Sequence, residues 1–197
     1  IDKLRKLVAF STFSMLETYL AETVKDELAY SLESLAIPKH EMMERIESIS
    51  IIMGLTRLLE KSPKSLSDSA KVKLSIACCL IAKPRILVID NMLSLLDEND
   101  KEKVYKALKQ YTKNNGIILN FTTEIEETLL GTHIIILDKT KILLSGKTMS
   151  VLNEEKLMKR LGYNLPFIIQ LNKYLKDYEL IRNYNLSYES LVNSIWI

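Results

Sequence analysis

The spacing of apolar residues changes several times along the chain, and each change predicts an element. The segment KLVAFSTF (6–13) reads as a short strand or extended stretch. Thr23 then caps a helix, with Asp26 at the acidic position of a capping box, and Leu28, Leu32 and Leu35 keep helical spacing. Pro38 opens a second helix with acids in its first turns. Met43, Ile46, Ile49 and Met53 predict one inner face for it, more a core stripe than a recruitment surface. Gly54 and Pro63 mark a break. Ser67 caps the next helix, which Pro84 ends. Three apolar runs follow, Ile86–Ile89, Ile117–Leu119 and Ile134–Leu137. A surface helix lies between the first two and is expected to close at Gly116. Strands alternating with helices predict a parallel sheet with helices on its faces. ILDKTKILLSGK (136–147) reads as a hairpin. Beyond Val151 the pattern is helical, with Pro166 opening one helix and Ser187 capping the last.

Composition narrows the picture. The 197 residues are 47% apolar, enough for one well-buried domain with a smaller one appended. The net charge is +2 with both signs mixed, so no basic block suggests nucleic acid. No apolar stretch approaches the roughly 18 residues of a membrane span, and there is no signal-peptide pattern. Cys78 and Cys79 sit in an apolar helical pattern and read as buried, reduced thiols. The chain begins with Ile1, as a fragment or a processed product would.

The candidate chemistry lies in LSDSAKVKLSIACCLIAKPRILVIDNMLSLLD (66–97). A buried strand delivers Asp90 at its C-terminal end, where open α/β sheets place their ligands. A metal–nucleotide site would want a second acid next, but Asn91 stands there. The order is a serine-capped helix, a proline, an apolar strand ending in Asp, and a loop closing on Leu96-Asp97.

This layout resembles the core of an ATP-binding-cassette ATPase, with its LSGGQ signature, Walker B strand and D-loop. LGYNLPFIIQLNKYL (161–175) with LSYESLVNSIW (186–196), and ETVKDELAYSLESLAIPKHEMMERI (22–46), narrow the resemblance to the ATPase subunits of energy-coupling factor transporters, importers of vitamins and metals. The resemblance covers essentially the whole chain. It implies an α/β fold with a RecA-like P-loop NTPase core lacking its N-terminal part. Residues 1–13 would be a remnant of a core strand and glutamine loop, 14–65 a helical subdomain, 66–150 the RecA-like core and 151–197 a C-terminal helical region.

The resemblance also assigns roles. Signature residues at a helix N-terminus receive the phosphate held by the opposite subunit. Ser67 keeps its letter, and serves equally well as an ordinary N-cap. Asp68 and Ser69 replace the two glycines; Asp68 would set a negative charge against phosphate, and side chains there would block backbone approach. Asp90 falls on the aspartate that holds Mg²⁺ through water, or is a strand-end acid bonded to its loop. Asn91 falls on the glutamate that polarises attacking water; an amide orients water but takes no proton from it. Phe13 stands at the glutamine that senses Mg²⁺, Thr123 at the switch histidine, and Asp97 at the D-loop acid that bridges subunits. His133 and His40 read as structural and solvated. Gly146-Lys147-Thr148 mimics a phosphate loop, but its spacing fails because residue 141 is lysine. By this resemblance the family's own loop would precede residue 1.

The implied function is an ATP- and Mg²⁺-binding subunit that energises an importer at the cytoplasmic face of the membrane, with impaired catalysis. Its partners would be a second ATPase subunit and a transmembrane coupling subunit seated near Phe13 to Tyr30. The alternative is a non-catalytic module that keeps dimerisation and docking. ATPase heads of DNA maintenance carry long coiled-coil insertions, and the sequence has none.

Overall fold

The computed structural model describes residues 7–33, 35 and 37–195. The expected remnant over residues 1–6, and the start of the extended stretch at Lys6, lie outside them. The chain forms two compact units, one ending at Thr123 and the other beginning at Glu124.

The first unit is built on a three-stranded parallel sheet in the order β1 (Val8–Thr12), β2 (Ile86–Asp90), β3 (Ile117–Phe121). Register aligns Ser11 with Ile89 and Asn120, and Thr12 with Asp90 and Phe121. Side chains alternate between faces. One face presents Leu87 and Ile89, fully buried, to the core. Helix α3 (Asp68–Ile81) packs on the sheet, its Val72, Leu74, Ile76 and Ala77 fully buried. Helices α1 (Val24–Glu33) and α2 (Lys39–Met53) pack against α3 and share its core through Leu28, Leu32, Ile46 and Met53. Helix α4 (Glu98–Lys113) adds Val104 and Leu108. The opposite sheet face carries Phe10, Ile117, Leu119 and Phe121, each about half exposed.

Local chemistry explains most boundaries. Thr23 Oγ1 accepts the Asp26 N–H at 3.1 Å and donates to the Asp26 carboxylate at 2.6 Å, so the expected capping pair forms. Thr23→Ala is therefore expected to lower stability by about 1 kcal/mol, read as a shifted denaturant midpoint at constant slope. Ser67 Oγ caps α3 by accepting the Ala70 N–H. Gly54 closes α2 in the left-handed conformation.

Three expectations need correction. Met43 is exposed, whereas Ile46, Ile49 and Met53 are buried. The inner face begins one turn later and takes in Ser50, whose hydroxyl is satisfied by the Ile46 carbonyl at 2.6 Å. At the end of α4 the left-handed residue is Asn115 (φ 65°), not Gly116. Gly116 is needed for space, since a Cβ there would lie 2.4 Å from the Tyr111 ring. The third apolar run does not extend the parallel sheet among the described residues. It forms β4 (His133–Asp138), which pairs antiparallel with β5 (Lys141–Lys147) as the expected hairpin.

The second unit holds this hairpin and four helices, α5 (Thr148–Leu152), α6 (Glu155–Arg160), α7 (Phe167–Asp177) and α8 (Tyr188–Ile195). Its core is Ile134, Val151, Leu152, Met158, Ile168, Ile169, Ile181 and Leu191. Pro166 precedes α7, and the Ser187 hydroxyl accepts the Ser190 N–H at the start of α8, as the sequence implied. Buried Asn172 holds the turn before α8 by accepting the Asn185 N–H at 2.7 Å and donating to its carbonyl at 2.8 Å.

Candidate functional site

The sheet register gathers the first group of candidate residues. Thr12, Asp90 and Phe121 are in line at the C-terminal ends of β1, β2 and β3. Phe13, Asn91 and Thr123 follow them, so all lie at the sheet edge where α/β proteins bind ligands. Phe13 is 61% exposed. Asn91 leaves β2 with φ 51° and donates its N–H to the Phe121 carbonyl at 2.9 Å. Left-handed backbone is uncommon outside glycine, and asparagine is among the residues that tolerate it best. The conformation turns the chain sharply after Asp90. The turn is anchored below by Met92 and Leu93, both essentially buried, with the Ser11 hydroxyl donating to Met92 Sδ at 3.2 Å.

The Asp90 side chain is exposed and has no hydrogen-bonding or ionic partner among the described residues. It is not consumed by its own loop, so an available hard oxygen donor fits a hydrated Mg²⁺. Neither Asn91 nor Thr123 can take a proton from water near pH 7, and Phe13 offers no polar atom. Among the described residues no group of three or more His, Cys, Asp or Glu can hold a metal by itself.

The second group lies at the N-termini of α3 and α4. Ser67 and Asp68 open α3, and Asp97 caps α4 by accepting the Asp100 N–H at 2.9 Å. Ser69 does not project from the helix end as expected. It is buried, and its Oγ donates to Asp100 Oδ2 at 2.9 Å and accepts the Asp97 N–H at 3.3 Å. Of the two glycine replacements, only Asp68 presents an exposed side chain.

Sequence reasoning missed Lys73 and Asp100, which complete this cluster. Lys73 Nζ meets Asp100 Oδ2 at 2.7 Å and Lys103 Nζ meets Oδ1 at 3.2 Å. Burial alone would push the Asp100 carboxyl up. Hydrogen bonds from Lys73, Ser69 and Lys103 outweigh it and hold the carboxyl below its usual range. The only signal was an i, i+4 spacing of Ser69 and Lys73 on one helix face; the acid 27 residues beyond Lys73 had no local mark.

Cys78 and Cys79 are free thiols that are half-buried, not buried as expected; desolvation still pushes each up to about 12, so neither is a poised nucleophile. His133 opens β4, and Gly146 and Lys147 end β5 within the hairpin.

No family model matches the chain. The energy-coupling factor transporter ATP-binding protein EcfA1 of Halalkalibacterium halodurans is 30% identical over 179 residues, 90% of this chain and 64% of that protein. EcfA1 of Bacillus subtilis is 28% identical over 181 residues, with the same two coverages. Among solved structures, CbiO1 of Clostridium perfringens, part of the ABC transporter complex CbiONQ, superposes with a TM-score of 0.68 at 20% identity, over 86% of this chain and 68% of that one. A dimeric ATP-binding cassette in a post-hydrolysis state with ADP and Pi gives 0.65 at 21%, over 75% and 65%. The chain spans less than two thirds of the length of these two EcfA1 proteins. No described helix is long and apolar enough to cross a membrane. By sequence the chain is similar to the ATP-binding subunits of energy-coupling factor transporters, and its fold is that of the ATP-binding-cassette ATPases.

Proposed function

We propose that the chain acts as an ATPase-type subunit of an importer of the energy-coupling factor class, peripheral to the cytoplasmic membrane face, and that its own catalytic half-site is impaired. The observation that carries this reading is the turn at the end of β2. Asp90 is free to face a hydrated Mg²⁺, while left-handed Asn91 occupies the place of the residue that would activate water. Phe13 and Thr123, at the same edge, supply no replacement. The signature turn adds Asp68, whose charge opposes a phosphate approaching from a partner subunit.

The seat for the transmembrane partner lies in the first unit. A groove of about 520 Å³ is lined by Phe10, Met15, Tyr19, Tyr30 and Ser75, and Tyr30 is half exposed. Leu20, on the connection to α1, is strongly exposed as well. Exposed apolar and aromatic side chains around a concavity suit the apolar face of a partner helix.

The test is co-expression with a transmembrane subunit and a second ATPase subunit of the energy-coupling factor class from the same organism, followed by co-purification and phosphate release. Leu20→Asp with Tyr30→Asp is expected to reduce recovery of the transmembrane subunit more than tenfold without changing the melting temperature of the isolated chain. Full recovery would remove the docking surface from this reading. ATP binding separates the two functional forms. Saturable nucleotide retention that requires Asp90 supports the impaired energising subunit; assembly with no nucleotide at this half-site supports the purely non-catalytic module.

A further inference from the structure

The position taken by Ser69 belongs to a glycine in the signature that the sequence resembles, and glycine has no side chain with which to hold anything. Here the side chain is buried and both of its hydrogen-bonding functions are used. Its hydroxyl hydrogen goes to Asp100, in the first turn of α4. Its oxygen receives the N–H of Asp97, the residue that caps that same helix. Lys73, one turn further along α3, neutralises Asp100 from the same side. One hydroxyl, one carboxylate and one ammonium therefore fasten the start of α3 to the start of α4.

The fastening has a direction. Asp97 is exposed, and its carboxylate is engaged only in capping its own helix. Its backbone, by contrast, is tied to α3 through Ser69. Leu96, just before it, is buried in the core, so the loop is held on both sides of the Asp97 peptide. We propose that Ser69 is a positioning residue, which holds the Asp97 loop against α3 in the register that meets a partner ATPase subunit. This rests on the reading of the chain as one half of an ATPase pair. It gives the serine a role that glycine could not fill. The loop and the signature turn then move as one body, not as two independently mobile contacts.

The experiment uses the full chain with Ser69→Ala and Ser69→Thr. Alanine removes both hydrogen bonds but leaves the Lys73–Asp100 pair to maintain the fold; threonine retains the hydroxyl. Amide exchange at Asp97 is followed by NMR, with Leu28 in α1 as the reference for global opening. Affinity for a second ATPase subunit of the energy-coupling factor class from the same organism is measured in parallel. In Ser69→Ala, the Asp97 amide is expected to exchange about tenfold faster than in the unaltered chain, with Leu28 unchanged. Partner affinity is expected to fall about fivefold, and Ser69→Thr to restore both. Unchanged Asp97 exchange, equal acceleration at Leu28, or a loosened loop with undiminished affinity would each overturn the proposal. If the unaltered chain binds no ATPase subunit, the paired reading itself fails, and the proposal fails with it on a different result.

Discussion

Asn91→Glu is expected to leave ATP turnover at the level of the unaltered chain. A positioned general base contributes about 10²–10⁴-fold, so in an otherwise competent site this one change would be conspicuous. Two features of the structure argue against such a gain. Asn91 holds φ 51°, fixed by the hydrogen bond from its N–H to the Phe121 carbonyl. Glutamate lacks asparagine's tolerance for left-handed backbone, and forcing it there costs about 1 kcal/mol. On the proposed reading, the positions of the other groups that act on water are held by Phe13 and Thr123 at the same sheet edge, and neither supplies a base. Phosphate release would be measured in the assembled complex, with the partner subunit's own catalytic residues disabled. A rise of more than tenfold from Asn91→Glu alone would contradict the impaired-site reading.

The same residue shows what was legible in the sequence. That Asn91 follows a buried strand ending in an acid could be read directly, because an apolar run bounded by Pro84 and a carboxylate is a local pattern. Thr23, Ser67 and Ser187 were readable for the same reason, since a cap acts on amides two or three residues away. The backbone twist at Asn91 was not readable, because it depends on the Phe121 carbonyl of a neighbouring strand. Ile134–Leu137 looked like another parallel strand because apolar composition records burial and says nothing about which strand lies alongside. Its partner proved to be the adjacent β5, at hairpin distance. Ser69 was the costliest misreading. Considered alone, it is an obstruction on a helix end. Its actual orientation is set by Asp100, 31 residues later, and by Lys73, whose place in the core could not be inferred from a helix already rich in buried positions.

Lys73→Met is expected to destabilise the chain by about 3 kcal/mol at neutral pH. The Lys73 side chain is 6% exposed and that of Asp100 12%, so this is an interior ion pair. Methionine preserves most of the apolar stem, and the loss therefore reports the charge and not a cavity. Breaking a buried pair from one side costs about 3–5 kcal/mol because the remaining charge stays desolvated. Lys103 and Ser69 still reach Asp100, which places the expectation at the lower end. The pH dependence has a definite sign. The folded-state Asp100 carboxyl is held below its usual range by its partners, against the opposing effect of burial. Its contribution is therefore fully present above the unfolded-state value and lost as pH falls through the folded one. Removing Lys73 takes away a principal cause of that lowering. The stability gap between the unaltered chain and Lys73→Met should consequently narrow on acidification from neutral pH to about pH 3. Urea unfolding at several pH values tests both parts. A loss below about 1 kcal/mol at neutral pH would place the pair in effective contact with solvent. A gap that widens in acid would mean that Lys73 stabilises the fold by something other than its charge on Asp100.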